Sequence, residues 1–411
     1  MNSNELQFPP GFLWGTATAA HQVEGNNIYS DWWEFEELGK TVSKEKSGIA
    51  VDHYNRFQED AEIAKSLHQN AHRFSIEWAR VEPEEGNFQI DEIMHYKEVI
   101  KAIEDRGMQT MVTLLHFTLP KWVAKQGGWT NKKTIFYFTR YIEQVLEYLG
   151  DDVDFWITMN EPVVYTQNAY LKGRYPPGVK NVLAFFRANQ FLARAHREAY
   201  FTIHKFFKSA VVGIAKNIPF IEAYNKSSLF DKLALRVANW IATDRFLGRV
   251  EGLLDFLGVQ YYNHLQIRFN LGGEYFSLAD GYGIEKHKND QVLKSDIGWE
   301  IFPEGIYHSL MRVKRLKVPI IVTENGVADR DDKLRAAFIH DHLLQVHRAI
   351  NDGVDVRGYF HWTLMDNYEW HMGRNPRFGL VEIDYENNLQ RKIRQSAYYF
   401  AEICKNNAIR A

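Results

Sequence analysis

Residues 154–163 read DFWITMNEPV. Apolar and β-favouring residues run up to Asn160 and Glu161, and Pro162 then ends the run, because proline brings no N–H to a sheet. PIIVTENGV (319–327) presents Glu324 in the same way. A short apolar run bounded by turn signals reads as a buried strand. Why such a strand should deliver a carboxylate at its tip depends on how the rest of the chain is organised.

Short apolar runs alternate with amphipathic stretches from end to end. The strand candidates are FLWGTATAA (12–20), AHRFSIEW (71–78), QTMVTLLHF (109–117), DFWITMNE (154–161), AVVGIAKNI (210–218), DFLGVQYYN (255–263), PIIVTEN (319–325) and VRGYFHWTLMD (356–366). Tyr54, Phe57, Ala61, Ala64 and Leu67 recur at helical spacing between the first two, and Ile93, Tyr96, Ile100 and Ile103 between the second and third. Gly107 stands where that second helix should end. The pattern is least regular from about 218 to 255. Strand–helix alternation implies βαβ units and a parallel sheet. Eight strands fit a closed (β/α)8 TIM barrel better than an open doubly wound sheet. No repeat, low-complexity tract or linker interrupts the chain, so residues 1–411 are expected to form one α/β domain.

In such a barrel the active site lies at the C-terminal ends of the strands. Glu161 and Glu324 would then emerge at one mouth, from the fourth and seventh strands. Gln22, His116, Tyr262, Trp362 and Glu369 also fall at or just beyond strand ends. Taken singly, each reads first as an ordinary polar loop residue or core filler; taken together they read as a site.

Composition narrows the function classes. Lys plus Arg (49) nearly balance Asp plus Glu (52), for a formal net charge of -3. That leaves no basic footprint for nucleic acid and no polybasic patch for a membrane. The single cysteine, Cys404, excludes a disulfide framework and a cysteine-built metal site. The 16 histidines show no ligand spacing beside a carboxylate, so neither a metal nor another cofactor is expected. The start, MNSNELQFPPGF, lacks the charged and apolar regions of a signal peptide, and no apolar run is long enough to span a bilayer. A soluble, cytoplasmic protein is the expectation. The 11 Trp, 21 Tyr and 27 Phe suit a filled core and flat sugar faces alike.

Two carboxyl groups facing each other across a cleft can hydrolyse a glycosidic bond, one protonating the departing oxygen while the other acts at the anomeric carbon. The roles need different environments: the acid raised towards neutrality, the nucleophile kept ionised. Arg73 and Tyr262 are candidates to hold Glu324 charged. A separation of roughly 5–5.5 Å gives retention, about 6.5–9.5 Å inversion.

These residues resemble glycoside hydrolase family 1, the β-glucosidase and β-galactosidase group, from PPGFLWGTATAAHQVEG near the start to RKIRQSAYYF near the end. The resemblance implies that Glu161 in TMNEP is the acid/base, with Asn160 bonding the sugar's 2-hydroxyl, and that Glu324 in IVTENG is the nucleophile. It also implies that Gln22 and His116 grip sugar hydroxyls, Trp362 is a stacking platform, and Glu369 and Trp370 contact the outer hydroxyls. Phe378 in RFGL and Trp299 in DIGWEIFPEG match aromatics on the sugar and leaving-group sides. The implied activity is a retaining exo-β-glycosidase, a β-glucosidase first, with galactose or fucose as alternatives and small β-glycosides or short oligosaccharides as substrates.

The chain departs from the family where His116-Phe117-Thr118-Leu119-Pro120 replaces His-Trp-Asp-Leu-Pro and where Gln260-Tyr261-Tyr262 replaces Asn-Tyr-Tyr. It is also shorter between Glu161 and Glu324, which predicts a more open leaving-group side. A non-catalytic sugar-binding relative would have lost a catalytic glutamate, and this chain keeps both. A 6-phospho-glycosidase is disfavoured because Glu369 would repel the phosphate. A thioglucosidase would have Gln at position 161. A metal-dependent isomerase on the same barrel remains a different-class alternative, distinguished by sensitivity to a chelator.

Overall fold

The computed structural model describes residues 5–269 and 292–411. Eight parallel strands close on themselves: β1 (Leu13–Ala17), β2 (Ala71–Ser75), β3 (Gln109–Thr113), β4 (Phe155–Asn160), β5 (Val211–Asn217), β6 (Phe256–Gln260), β7 (Ile320–Asn325) and β8 (Val356–Trp362). Each pairs with its neighbour in sequence order, and β8 returns to β1 through Gly358↔Leu13 to Trp362↔Ala17. All eight strand candidates are present, within shorter bounds. The apolar pattern runs on past the last ladder bond, because rim residues such as Leu114 and Leu115 still pack against the core.

A helix follows every strand: α1 (His53–Ser66), α2 (Ile90–Glu104), α3 (Lys133–Leu149), α4 (Val182–Phe206), α5 (Leu229–Asn239), α6 (Glu304–Val313), α7 (Arg335–Asn351) and α8 (Gln395–Asn406). Gly107, at φ +67°, closes the turn after α2, its N–H bonded to the Glu104 carbonyl at 2.7 Å. The least regular stretch holds α5, which continues through a π-helical turn at Trp240–Asp244 into Arg245–Val250. That turn breaks the 3.6-residue period from within. α5 packs on a parallel ribbon made by Phe220–Ala223 and His264–Ile267, set above the barrel.

The barrel interior is filled by one residue from each strand: Leu13, Ala71, Met111, Ile157, Ala215, Phe256, Ile321 and Phe360. Large rings face small partners. A Cβ on Gly15 would lie 2.7 Å from the Phe360 ring and 2.5 Å from the Ala71 carbonyl oxygen. Nearer the C-terminal strand ends the interior turns polar, with Arg73, Asn160, Gln260 and Glu324 all buried. The apolar layer is therefore the floor on which the polar layer stands. Phe360→Ala should lower the unfolding free energy by about 3–5 kcal/mol, the cost of emptying a ring-sized space in a packed interior. Urea titration of the two proteins checks it.

Candidate active site

The two strands that carry the glutamates are both irregular near their ends. The pairing register shifts between Ile157 and Asn160 on β4 and between Val322 and Glu324 on β7. Such bulges re-aim side chains next to functional sites. Beyond the first, Glu161 adopts left-handed backbone (φ 40°, ψ 56°), and Pro162 opens a short helix, Pro162–Gln167. Holding a non-glycine residue there costs about 1–3 kcal/mol. The Glu161 N–H, bonded to the Ala215 carbonyl at 2.9 Å, helps to fix it. On β7, Asn325 donates to the Tyr261 carbonyl (2.7 Å) and accepts from the Tyr359 hydroxyl (2.9 Å), which clamps the strand tip from both sides.

Arg73 on β2 is fully buried and spends its guanidinium on four partners. Nη1 donates to Glu324 Oε1 at 2.5 Å and to the Thr323 carbonyl at 3.3 Å. Nη2 donates to Asn160 Oδ1 at 2.7 Å, and Nε to Thr113 Oγ1 at 3.1 Å. The Tyr262 hydroxyl donates to the other Glu324 oxygen at 2.7 Å. Asn160 Oδ1 also accepts from Gln260 Nε2 at 2.8 Å, so its Nδ2 faces His116 Nε2 at 3.0 Å. That assigns the neutral His116 its proton on Nδ1, and leaves the second hydrogen of Asn160 Nδ2 for a ligand.

His116, Asn160, Glu161, Tyr262, Trp299, Glu324, Trp362, Glu369, Trp370 and Phe378 line one open cavity. Of the expected site residues, Gln22 and Arg73 stand behind this lining. Gln22 Nε2 donates to Asn367 Oδ1 (3.1 Å), the Tyr368 carbonyl (3.0 Å) and Glu369 Oε2 (3.2 Å). Its Oε1 is buried with no hydrogen-bond partner among the described residues. Tyr262, Trp299 and Phe378 cluster at centroid distances of 5.8–6.4 Å. Trp370 stacks on His21 at 5.8 Å and meets Phe117 at 5.0 Å.

The departures from the family pattern acquire physical meaning here. Gln260 uses its extra methylene to hold the Asn160 carboxamide. Phe117 keeps an aromatic wall on the cavity, while Thr118 turns to the buried Glu77 carboxylate at 2.9 Å. Arg374, five residues beyond Glu369, reaches the Ser47 carbonyl at 3.0 Å. Part of the shortened region, residues 270–291, lies outside the described residues. Lys216 and Asn217, at the tip of β5, also line the cavity, and sequence reasoning missed them. The available signal was a charged residue near the end of the apolar run AVVGIAKNI. Among the described residues, no group of three or more His, Cys, Asp or Glu is placed to hold a metal ion.

The two glutamates stand in unlike surroundings. Burial, and then the charge of Glu324, push Glu161 up to about 8; the Lys216 ammonium and the Asn217 side chain pull it down. Oε1 of Glu161 is buried without a hydrogen-bond partner among the described residues. Burial also pushes Glu324 up, but Arg73 and the Tyr262 hydroxyl both stabilise its anion. Of the pair, Glu324 therefore ionises first. Burial and the Glu324 charge raise Glu369 to about 8 as well. Burial, then Arg73, hold His116 well below its usual range. Burial lowers Lys216 to about 8 against the attraction of Glu161.

A closed barrel with paired carboxylates in a ring-lined cavity at its C-terminal mouth is the architecture of a glycoside-cleaving enzyme. The model of glycosyl hydrolase family 1 matches residues 4–251 and 242–409. Beta-glucosidase A of Thermotoga maritima is 32% identical, with 99% of both chains covered. A beta-galactosidase of Pyrococcus woesei is 31% identical, with 98% of both covered. The solved beta-glycosidase from Pyrococcus horikoshii superposes with a TM-score of 0.91 at 38% identity, covering 99% of this chain and 97% of that one. The chain belongs to glycosyl hydrolase family 1, and is by that membership an O-glycosyl hydrolase.

Because the Glu324 charge raises Glu161 and the Lys216 charge lowers it, neutralising each should move the Glu161 carboxyl in opposite directions. Glu324→Gln should bring its titration down from about 8, and Lys216→Met should take it higher. Infrared difference titration of the carboxyl stretch reads both; shifts of the same sign would contradict this account.

Proposed function

We propose that the protein is a retaining, exo-acting β-glycosidase with two glutamates in separate roles and glucose as its preferred sugar. The observation that carries this reading is the asymmetry of the pair. Glu324 has a guanidinium and a phenol on its carboxylate, whereas Glu161 is buried with one oxygen unpartnered among the described residues. A group pushed up to about 8 keeps its proton at neutral pH. It can give that proton to the leaving oxygen while the Glu324 carboxylate attacks the anomeric carbon. Glu324 then becomes an ester and loses its charge, which removes one of the causes that raised Glu161. The same side chain can now take a proton from water and free the sugar.

The remaining groups act on binding. The free hydrogen of Asn160 Nδ2 reaches the 2-hydroxyl, a bond that strengthens as positive charge develops on the ring. Glu369, held from behind by Gln22 Nε2, offers an acceptor for outer hydroxyls, and Trp362 offers a flat face. No metal or other cofactor enters these steps. The Thermotoga relative's name supports glucose; the Pyrococcus woesei relative's name keeps galactose as the second reading.

Initial rates on nitrophenyl β-glucoside, β-galactoside, β-fucoside, β-mannoside and 6-phospho-β-glucoside should rank the glucoside first, unchanged by a chelator. Glu161→Ala should slow glycosides with poor leaving groups by about 10²–10⁴ and hardly affect the first step of dinitrophenyl glycosides. Glu324→Ala should abolish turnover of both. An equal loss on good and poor leaving groups would remove Glu161 from the acid role. The acid must be protonated in the first step, so kcat/KM should fall as pH rises through about 8.

A further inference from the structure

One wall of the cavity has two faces. Its inner face, made by Ile221 and Leu265 of the ribbon and by Ala242 after α5, lines the catalytic cavity. Ala238 of α5 packs on that ribbon with Ile221 and Ile267. The outer face of the same helix follows helical spacing: Leu229, Leu233, Arg236 and Trp240 are exposed, at 78% for Leu229, 55% for Leu233 and 48% for Trp240. Phe230 beside them is also exposed. Isolated exposed leucines are ordinary, but a stripe of them ending in tryptophan along one helix at a site's rim is not.

Charge accompanies the stripe. Residues 164–250 contain fourteen Lys and Arg against four Asp and Glu, a net charge of +10 along that stretch of sequence in a chain whose total is -3. The basic residues are spread along the sequence, so no polybasic run betrays them. Lys232, Arg236 and Arg249 are exposed on or near the helix, while the exposed Lys226 pairs with Glu222 at 2.8 Å. Its nearest acids are engaged: Asp231 accepts from the Asn225 and Phe269 N–H groups, and Asp244 pairs with Arg312 and Arg315. The Arg245 guanidinium lies over the rings of Phe186 and Trp240, at 4.5 and 5.6 Å.

We propose that this helix docks the cavity mouth on an anionic lipid surface, so that the enzyme takes β-glycosides whose leaving group is a membrane-embedded lipid. An amphipathic helix with leucine and tryptophan on one side and flanking cations lies in the interface, with its apolar side among the acyl chains. A sugar in the cavity would then hand its apolar leaving group across Ile221, Ala242 and Leu265 towards that surface. The substrate class rests on the glycosidase reading; the docking does not.

The test is sedimentation with phosphatidylcholine vesicles, with and without phosphatidylglycerol, alongside hydrolysis of a β-glucosyl diacylglycerol carried in them. The protein should sediment with the anionic vesicles. L233S/W240S should cut the bound fraction and the glycolipid rate by about tenfold or more, with the nitrophenyl β-glucoside rate unchanged because neither residue lines the cavity. Equal binding to both vesicles, or wild-type binding by the double variant, would overturn the docking. So would a concentration-dependent dimer that the double variant loses, since a second copy would then cover the stripe. If docking holds but no β-glycoside is cleaved, the glycosidase reading falls and the surface stands.

Discussion

A cation sealed inside a protein must be neutralised and fully hydrogen-bonded, and Arg73 meets both demands only if four strands end at the right heights. Its partners come from β3, β4 and β7, while its own backbone belongs to β2. Removing any one partner would strand a buried donor, at a cost of about 1–3 kcal/mol or more for a charged group. The guanidinium therefore acts as a gauge for the barrel's polar layer. The register shifts on β4 and β7 set Asn160 and Glu324 at the depth that gauge requires.

From that layer the difference between the two glutamates follows without further machinery. Glu324 shares the buried cation directly, whereas Glu161 sits past the bulge on strained backbone, one strand from Lys216. Burial acts on both; the neighbours differ. Gln260 shows how the arrangement absorbs sequence change, since a side chain one methylene longer still reaches the Asn160 oxygen that Arg73 also holds. The aromatic wall of Phe117, Trp370 and His21 likewise tolerates exchange of one ring for another.

The barrel was legible because its strands are buried on both faces, so their apolar runs stand out with no alternation to dilute them. The strand-tip positions of Glu161, Glu324, Tyr262 and His116 were legible for the same reason: a polar residue that ends such a run is conspicuous. Lys216 was not, because the run resumes past it at Ile218 and no break marks where the strand ends. The region after β5 was illegible for two physical reasons. A π turn breaks the helical period, and the outer side of α5 exposes Leu229, Leu233 and Trp240, so apolar character does not mark which side faces the protein. Arg73 was found as a support for Glu324; its second bond, to Asn160, joins residues from distant parts of the chain and has no sequence signature.

The partners of Arg73 carry one more implication. Apart from Glu324, all of them are neutral: an amide oxygen, a hydroxyl and a backbone carbonyl. Under the double-displacement reading, esterifying Glu324 leaves a buried guanidinium with no counter-ion on its hydrogen bonds, a condition that proteins tolerate poorly. The glycosyl-enzyme is then a loaded spring, and hydrolysis of the ester is what restores electroneutrality to the barrel's interior.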